Sequence, residues 1–286
     1  MATRTLTVNL VGRTKSLERA FDRSSKSAGS MASGITRATR VASKALLGLG
    51  GVFVGAAFAA KPLVDAAVDV QESLSKNTVV FGQAAEGVAA FADTAADALG
   101  MSRRQVLEAT GTFGTLAAAM KIPEATAADM SVTMTQLAAD MASFNNASPE
   151  ETLIALQSGL RGEAEPLRRF GVLLDAATMK QEALKQGLID NEKMALTPSQ
   201  KALAAYGLIL EQTKIQQGDF ERTSDGLANT QRRLSANFED VKEKLGAILL
   251  PAFESAAAWL EGTGLPAIEG FVDGIGDLGD SAFLQG

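Results

Sequence analysis

The 286-residue chain contains no cysteine and no histidine, and only one tryptophan and one tyrosine. Without cysteine there is no thiol nucleophile, no disulfide and no thiolate-bearing zinc site, and the compartment is not set by redox chemistry. Without histidine the chain lacks the one side chain that ordinarily titrates near neutral pH. Aromatics make up 5% of a chain that is 46% hydrophobic, so much of the apolar content is alanine. Alanine favours helix but buries little area per residue, which suits helices packed side by side. The residues imply an all-α, elongated helical assembly protein with a short amino-terminal strand. No catalytic residue, metal site or cofactor is expected.

Charge is divided unevenly. Met1 to Lys61 holds ten Lys/Arg against Glu18 and Asp22, whereas the remainder holds seventeen basic and thirty-one acidic residues. A basic head of +8 therefore joins an acidic body of −14, and no basic residue follows Lys244. Such a head suits acidic protein, phospholipid head groups or nucleic acid, or is simply a solvated helix face. It lacks the interleaved aromatics that stack bases, so contact with DNA is expected only as incidental.

Punctuation divides the chain into five segments. Residues 1–44 read as a strand, TLTVNLV at Thr5 to Val11, followed by a basic helix. Residues 45–61 are an apolar Gly/Ala helix, ALLGLGGVFVGAAFAA, bracketed by Lys44 and Lys61. Its sixteen apolar residues fall short of the roughly 20 that span a bilayer. Leu46, Leu47, Gly51, Val52, Phe53, Gly55 and Phe58 form a face for a partner helix or a membrane, with Gly51 and Gly55 as a G-x-x-x-G. Residues 62–196 read as a helical domain. Ser102/Gln105 and Ser148/Glu151 predict capping boxes, and Pro123 is expected at a first helical position before Met130, Met134, Leu137 and Met141.

Residues 197–250 read as one long helix opened by Thr197-Pro198-Ser199-Gln200. Phe220, Ser224, Leu227, Gln231, Leu234, Phe238, Val241, Leu245 and Ile248 follow a four–three alternation, a coiled-coil seam of about four heptads. Such a seam predicts self-association as parallel helices, with a trimer among the options; the competing reading is an amphipathic helix packed on its own domain. Pro251 is expected to end the pattern, leaving residues 251–286 as an acidic Gly-rich tail.

Enzymatic motifs are scarce. Glu163 and Glu165 are the candidates for a two-carboxylate hydrolase, but Arg161, Arg168 and Arg169 offer ready ion pairs. The sequence holds neither a phosphate-binding P-loop nor a dinucleotide fingerprint.

The stretch LQSGLRGEAEPLRRFGVLLDAATMKQEALKQGL, Leu156 to Leu188, resembles a recurrent segment of tail tape-measure proteins of long-tailed bacteriophages and prophages. Its densest part is Gly159, Arg161, Gly162, Glu163, Glu165, Pro166, Phe170 and Gly171. The continuation through Leu196 to Ala202 and Thr223 to Asn229 is similar, as is the strand, basic helix and apolar helix at the start. The resemblance implies a virion component in the tail lumen, around which tail-tube subunits polymerise. It also implies a coating tail-assembly chaperone before the tube forms, in the host cytoplasm. During genome ejection it implies help in passage across the host membrane. One departure concerns length. A fully helical chain of 286 residues reaches about 430 Å, and no repetitive ruler region is present, so an amino-terminal portion or a short member is expected. A membrane-active helical protein is the alternative, and a cell-wall hydrolase a more distant one.

Overall fold

A computed structural model describes residues 50–259 together with Gly262. The strand at Thr5 to Val11, the basic helix, Leu46 and Leu47, and the tail beyond Gly262 lie outside the described residues. The chain divides into two units, Met1–Ala59 and Ala60–Gly286, and the packing that follows belongs to the second.

The described residues are mainly helical, with no strand among them. Helix α1 spans Gly50–Phe81 and passes through Pro62 without a break. A 3-10 turn, Gly82–Ala84, leads into α2, Ala85–Leu99. Then follow α3 (Arg103–Ala119), α4 (Glu124–Phe144), α5 (Pro149–Arg161) and the single turn α6 (Glu165–Arg168). Beyond these lie α7 (Ala176–Lys185), α8 (Pro198–Gln212), the turn α9 (Asp219–Arg222) and α10 (Leu227–Trp259). Gly51, Val52, Phe53, Gly55 and Phe58 fall within α1. No described helix is long and apolar enough to cross a membrane.

Local chemistry sets the helix starts. At Ser102, Ser148 and Thr197 the hydroxyl accepts the N–H three residues on, while Gln105, Glu151 and Gln200 return a side-chain acceptor to the cap N–H. A further box, Asp175 with Thr178, opens α7. Pro123 is displaced by one position from expectation: its ψ of 144° is extended, so it caps α4 rather than entering it.

The core is built around α4. Met134, Leu137, Ala138 and Met141 pack with Phe113, with Ala155, Leu156 and Leu160 of α5, and with Ala205 and Ile209 of α8. A second cluster joins Val70 of α1 to Ala92, Ala95 and Leu99 of α2 and Val106 and Leu107 of α3. The many alanines let helix axes approach closely, and the methionines fill the gaps between them. Helix α8 therefore shares its core with the 62–196 segment, from which the sequence punctuation had separated it.

Two expectations about residues 197–250 are corrected. The single long helix is broken between Gln212 and Leu227. Gly218 there takes φ +72°, and the Asp140 carboxylate of α4 accepts the N–H groups of Gly218 at 2.7 Å and Phe220 at 3.1 Å. A distant acceptor thus stabilises the break, and Phe220 is drawn into the interior rather than onto the seam. Pro251 does not end α10, which continues to Trp259. The carbonyl that a Pro251 N–H would have bonded belongs to Ala247, which is exposed and can bond water instead.

Candidate assembly surface

Helix α10 carries the seam, and it docks on its own domain by the opposite face. Leu227, Phe238 and Ile248 are 84%, 61% and 66% exposed, and Leu234 and Val241 are exposed beside them. Leu245 is half-buried and Gln231 is exposed. Turned inward instead are Asn229, Arg232, Ala236, Asp240, Glu243 and Gly246. In heptad terms these occupy the positions that usually face water.

The inward face is polar and closely bonded. Asn229 Nδ2 donates to Ser143 Oγ at 2.9 Å and to Thr223 Oγ1 at 2.8 Å. Arg232 Nη2 reaches the carbonyls of Ala147 (2.9 Å) and Ala142 (3.4 Å) near the end of α4, where a cation suits the helix dipole. Burial lowers the pKa of that guanidinium. Asp240 Oδ1 accepts the N–H of Arg103 at 2.8 Å, at the start of α3. Arg103 in turn bridges Glu243 (2.7 Å) and Asp93 (2.6 Å). Burial pushes the Asp240 carboxyl upward, opposed by the Arg103 amide. At Gly246 the helices meet backbone to backbone, since a Cβ there would collide with the Leu63 carbonyl.

The segment from Gly159 to Gly171 forms a tight corner. Gly162, at φ +97°, ends α5, and the Glu163 N–H bonds back to the Ser158 carbonyl at 2.9 Å. Gly159 leaves room for Leu167, whose side chain is fully buried. Pro166 lies in the first turn of α6, Phe170 is buried, and Gly171 takes φ +81°. The Phe170 carbonyl accepts from Gln216 at 2.8 Å, which ties the corner to the α8–α9 link. Glu163 and Glu165 are exposed, with Glu165 paired to Arg168 at 2.9 Å, while Arg169 reaches Glu151 instead. Arg161 donates to Ser158 at 3.3 Å.

Among the described residues no group of three carboxylates is placed to hold a metal ion.

No protein-family model, curated protein or solved structure matches the chain.

The apolar row from Leu227 to Ile248 was readable in the sequence. The residues that orient it were not, because Asn229, Arg232, Asp240 and Glu243 look like ordinary solvated heptad positions. Their distant partners are Arg103 of α3, Ser143 and Ala142 of α4 and Ala147 just after α4.

Proposed function

We propose that the chain is a non-catalytic assembly subunit of a phage tail, a tape-measure protein or the amino-terminal part of one. The observation that carries this reading is the outward apolar seam of α10, a helix whose other face already docks on the body. A row of Leu, Phe, Val and Ile in water is costly unless a partner covers it. A second copy, aligned in parallel, supplies matching knobs and holes, as a dimer or a trimer. The corner at Gly159 to Gly171, with its likeness to tape-measure proteins, supports the same reading.

In this role helical rods run through the tail lumen while tube subunits assemble around them. A tail chaperone covers the apolar surfaces beforehand, and the segment at 45–61 aids genome delivery across the host membrane. The test is tail length in virions carrying in-frame heptad deletions within residues 227–250. Proportionally shorter tails are expected. Unchanged length would remove the measuring role, and absence of the chain from purified tails would remove the virion assignment.

A further inference from the structure

We infer that α10 is a detachable arm, able to leave the body formed by residues 60–222 while that body stays folded. The inference rests on packing within this unit and stands whether or not the chain belongs to a phage tail.

The distribution of apolar contact is the first support. None of the four hydrophobic clusters of the described residues includes a side chain of α10. Among its described residues Ala236 is the one hydrophobic side chain that is buried. The four clusters close over α1 to α8 without it, and the apolar contact the arm does make is narrow, Gly246 against Leu63 and Ala67 of α1.

The second support is the chemistry of the attachment. Asn229, Arg232, Asn237, Asp240 and Glu243 hold the arm through hydrogen bonds and ion pairs to Ser143, Ala142, Ala147, Asp97 and Arg103. Every one of these groups can exchange its partner for water, so the net gain from docking is a small remainder. Glu243 Oε2 already lacks a partner in the docked arrangement. Elements joined by such contacts open sub-globally, before the core does.

The third is the joint. The link from Thr223 to Gly226 holds two short-range bonds, Ser224 N–H to the Glu221 carbonyl at 3.2 Å and Gly226 N–H to the Thr223 carbonyl at 2.9 Å, and one contact to the body, between the hydroxyls of Thr223 and Ser143 at 3.0 Å. Asp140 fixes the chain on the body side of that link, at Gly218 and Phe220. A pivot at 223–226 therefore leaves Phe220 in place and moves α10 as one rigid rod. A seam-bound rod with a releasable body is the mechanical consequence.

The experiment uses the full chain, which has no native cysteine to compete for labels. Spin labels at Thr94→Cys on α2 and Ala247→Cys on α10 report the separation of arm and body. Samples are diluted with unlabelled chain to remove distances between copies. Ala247 lies roughly 30 Å along the helix from Gly226, so release produces a second, clearly longer population. In Arg232→Gln/Asp240→Asn/Glu243→Gln that population should become the major one. Amides of α4 should keep their hydrogen-exchange protection within about threefold, a shift well under 1.4 kcal/mol by the tenfold conversion. A low-urea series on the otherwise unsubstituted labelled chain gives the same reading without those substitutions, the arm opening before α4 loses protection. A single unchanged distance in the triple variant, or arm and α4 opening together in urea, would overturn the inference. Sedimentation of the same samples reads self-association separately, so a failed seam and a failed arm give different results.

Discussion

Asp240 and Arg103 stand 137 residues apart in sequence, and the carboxylate of the first accepts the backbone N–H of the second at 2.8 Å. Arg103 opens α3, so that helix start receives a cap from its neighbour Ser102 and an anion from α10. Ser102 takes the Gln105 N–H and Asp240 the Arg103 N–H, two of the donors left without a helical partner at the positive dipole end. Asp240→Ala should cost about 1 kcal/mol, the usual value of a lost capping acceptor. Urea unfolding is the measurement, and a loss below about 0.3 kcal/mol would mean that Ser102 suffices alone.

Seam substitutions should separate association from folding. Leu234→Asp and Phe238→Asp place charge on exposed positions, so the stability of the isolated chain should change by about 0.5 kcal/mol or less. Sedimentation equilibrium should show the assembly weakened by at least tenfold for each. Equal loss of stability and association would mean that the seam packs within one chain.

The corner glycines should respond for different reasons. An alanine at Gly159 meets the buried Leu167, and overpacking of that kind costs about 1–3 kcal/mol. At Gly162 there is open space but a φ of +97°, so Gly162→Ala carries about 1 kcal/mol of backbone strain. Thermal or urea denaturation of both variants checks the order. Glu163→Gln, in the same corner but exposed, should leave stability unchanged.

Three carboxyls should titrate on opposite sides of their ordinary range. Burial raises Asp140 against the pull of the Gly218 and Phe220 amides, and burial raises Asp240. The Thr178 and Ala177 amides, with the Thr178 hydroxyl, lower Asp175. Raised pKa values mean that the contribution of Asp140 and Asp240 is fully present below their unfolded pKa. It is lost as pH rises through the folded values. Asp175 has the reverse sign: its contribution is present above the unfolded pKa and fades as pH falls through the lowered folded value. Carboxyl-carbon NMR titration of the three residues tests the ordering directly.

Much of the fold is legible wherever an element is decided by its own neighbours. Ser102, Ser148 and Thr197 mark helix starts because the cap and its reciprocal acceptor lie three residues apart. The methionines of α4 are identifiable as core from spacing alone. The break at Gly218 was hidden, because helical periodicity runs through it and its stabilising acceptor, Asp140, is 78 residues away. Pro251 misled in the other direction, since α10 continues through it with the orphaned Ala247 carbonyl open to water.

The sequence by itself determined that the described chain is helical, where several of its helices start, and that one row of side chains in α10 is apolar at heptad spacing. These follow from propensity, capping and period, all local properties. Which face of α10 meets the body was decided only by tertiary structure. Asn229, Arg232, Asp240 and Glu243 found a hydroxyl, carbonyls, an amide and a guanidinium on α3, on α4 and on the turn after α4, and in taking them turned Leu234 and Phe238 outward. A helix has two faces, and its sequence shows what each can bind but not which partner reaches it first.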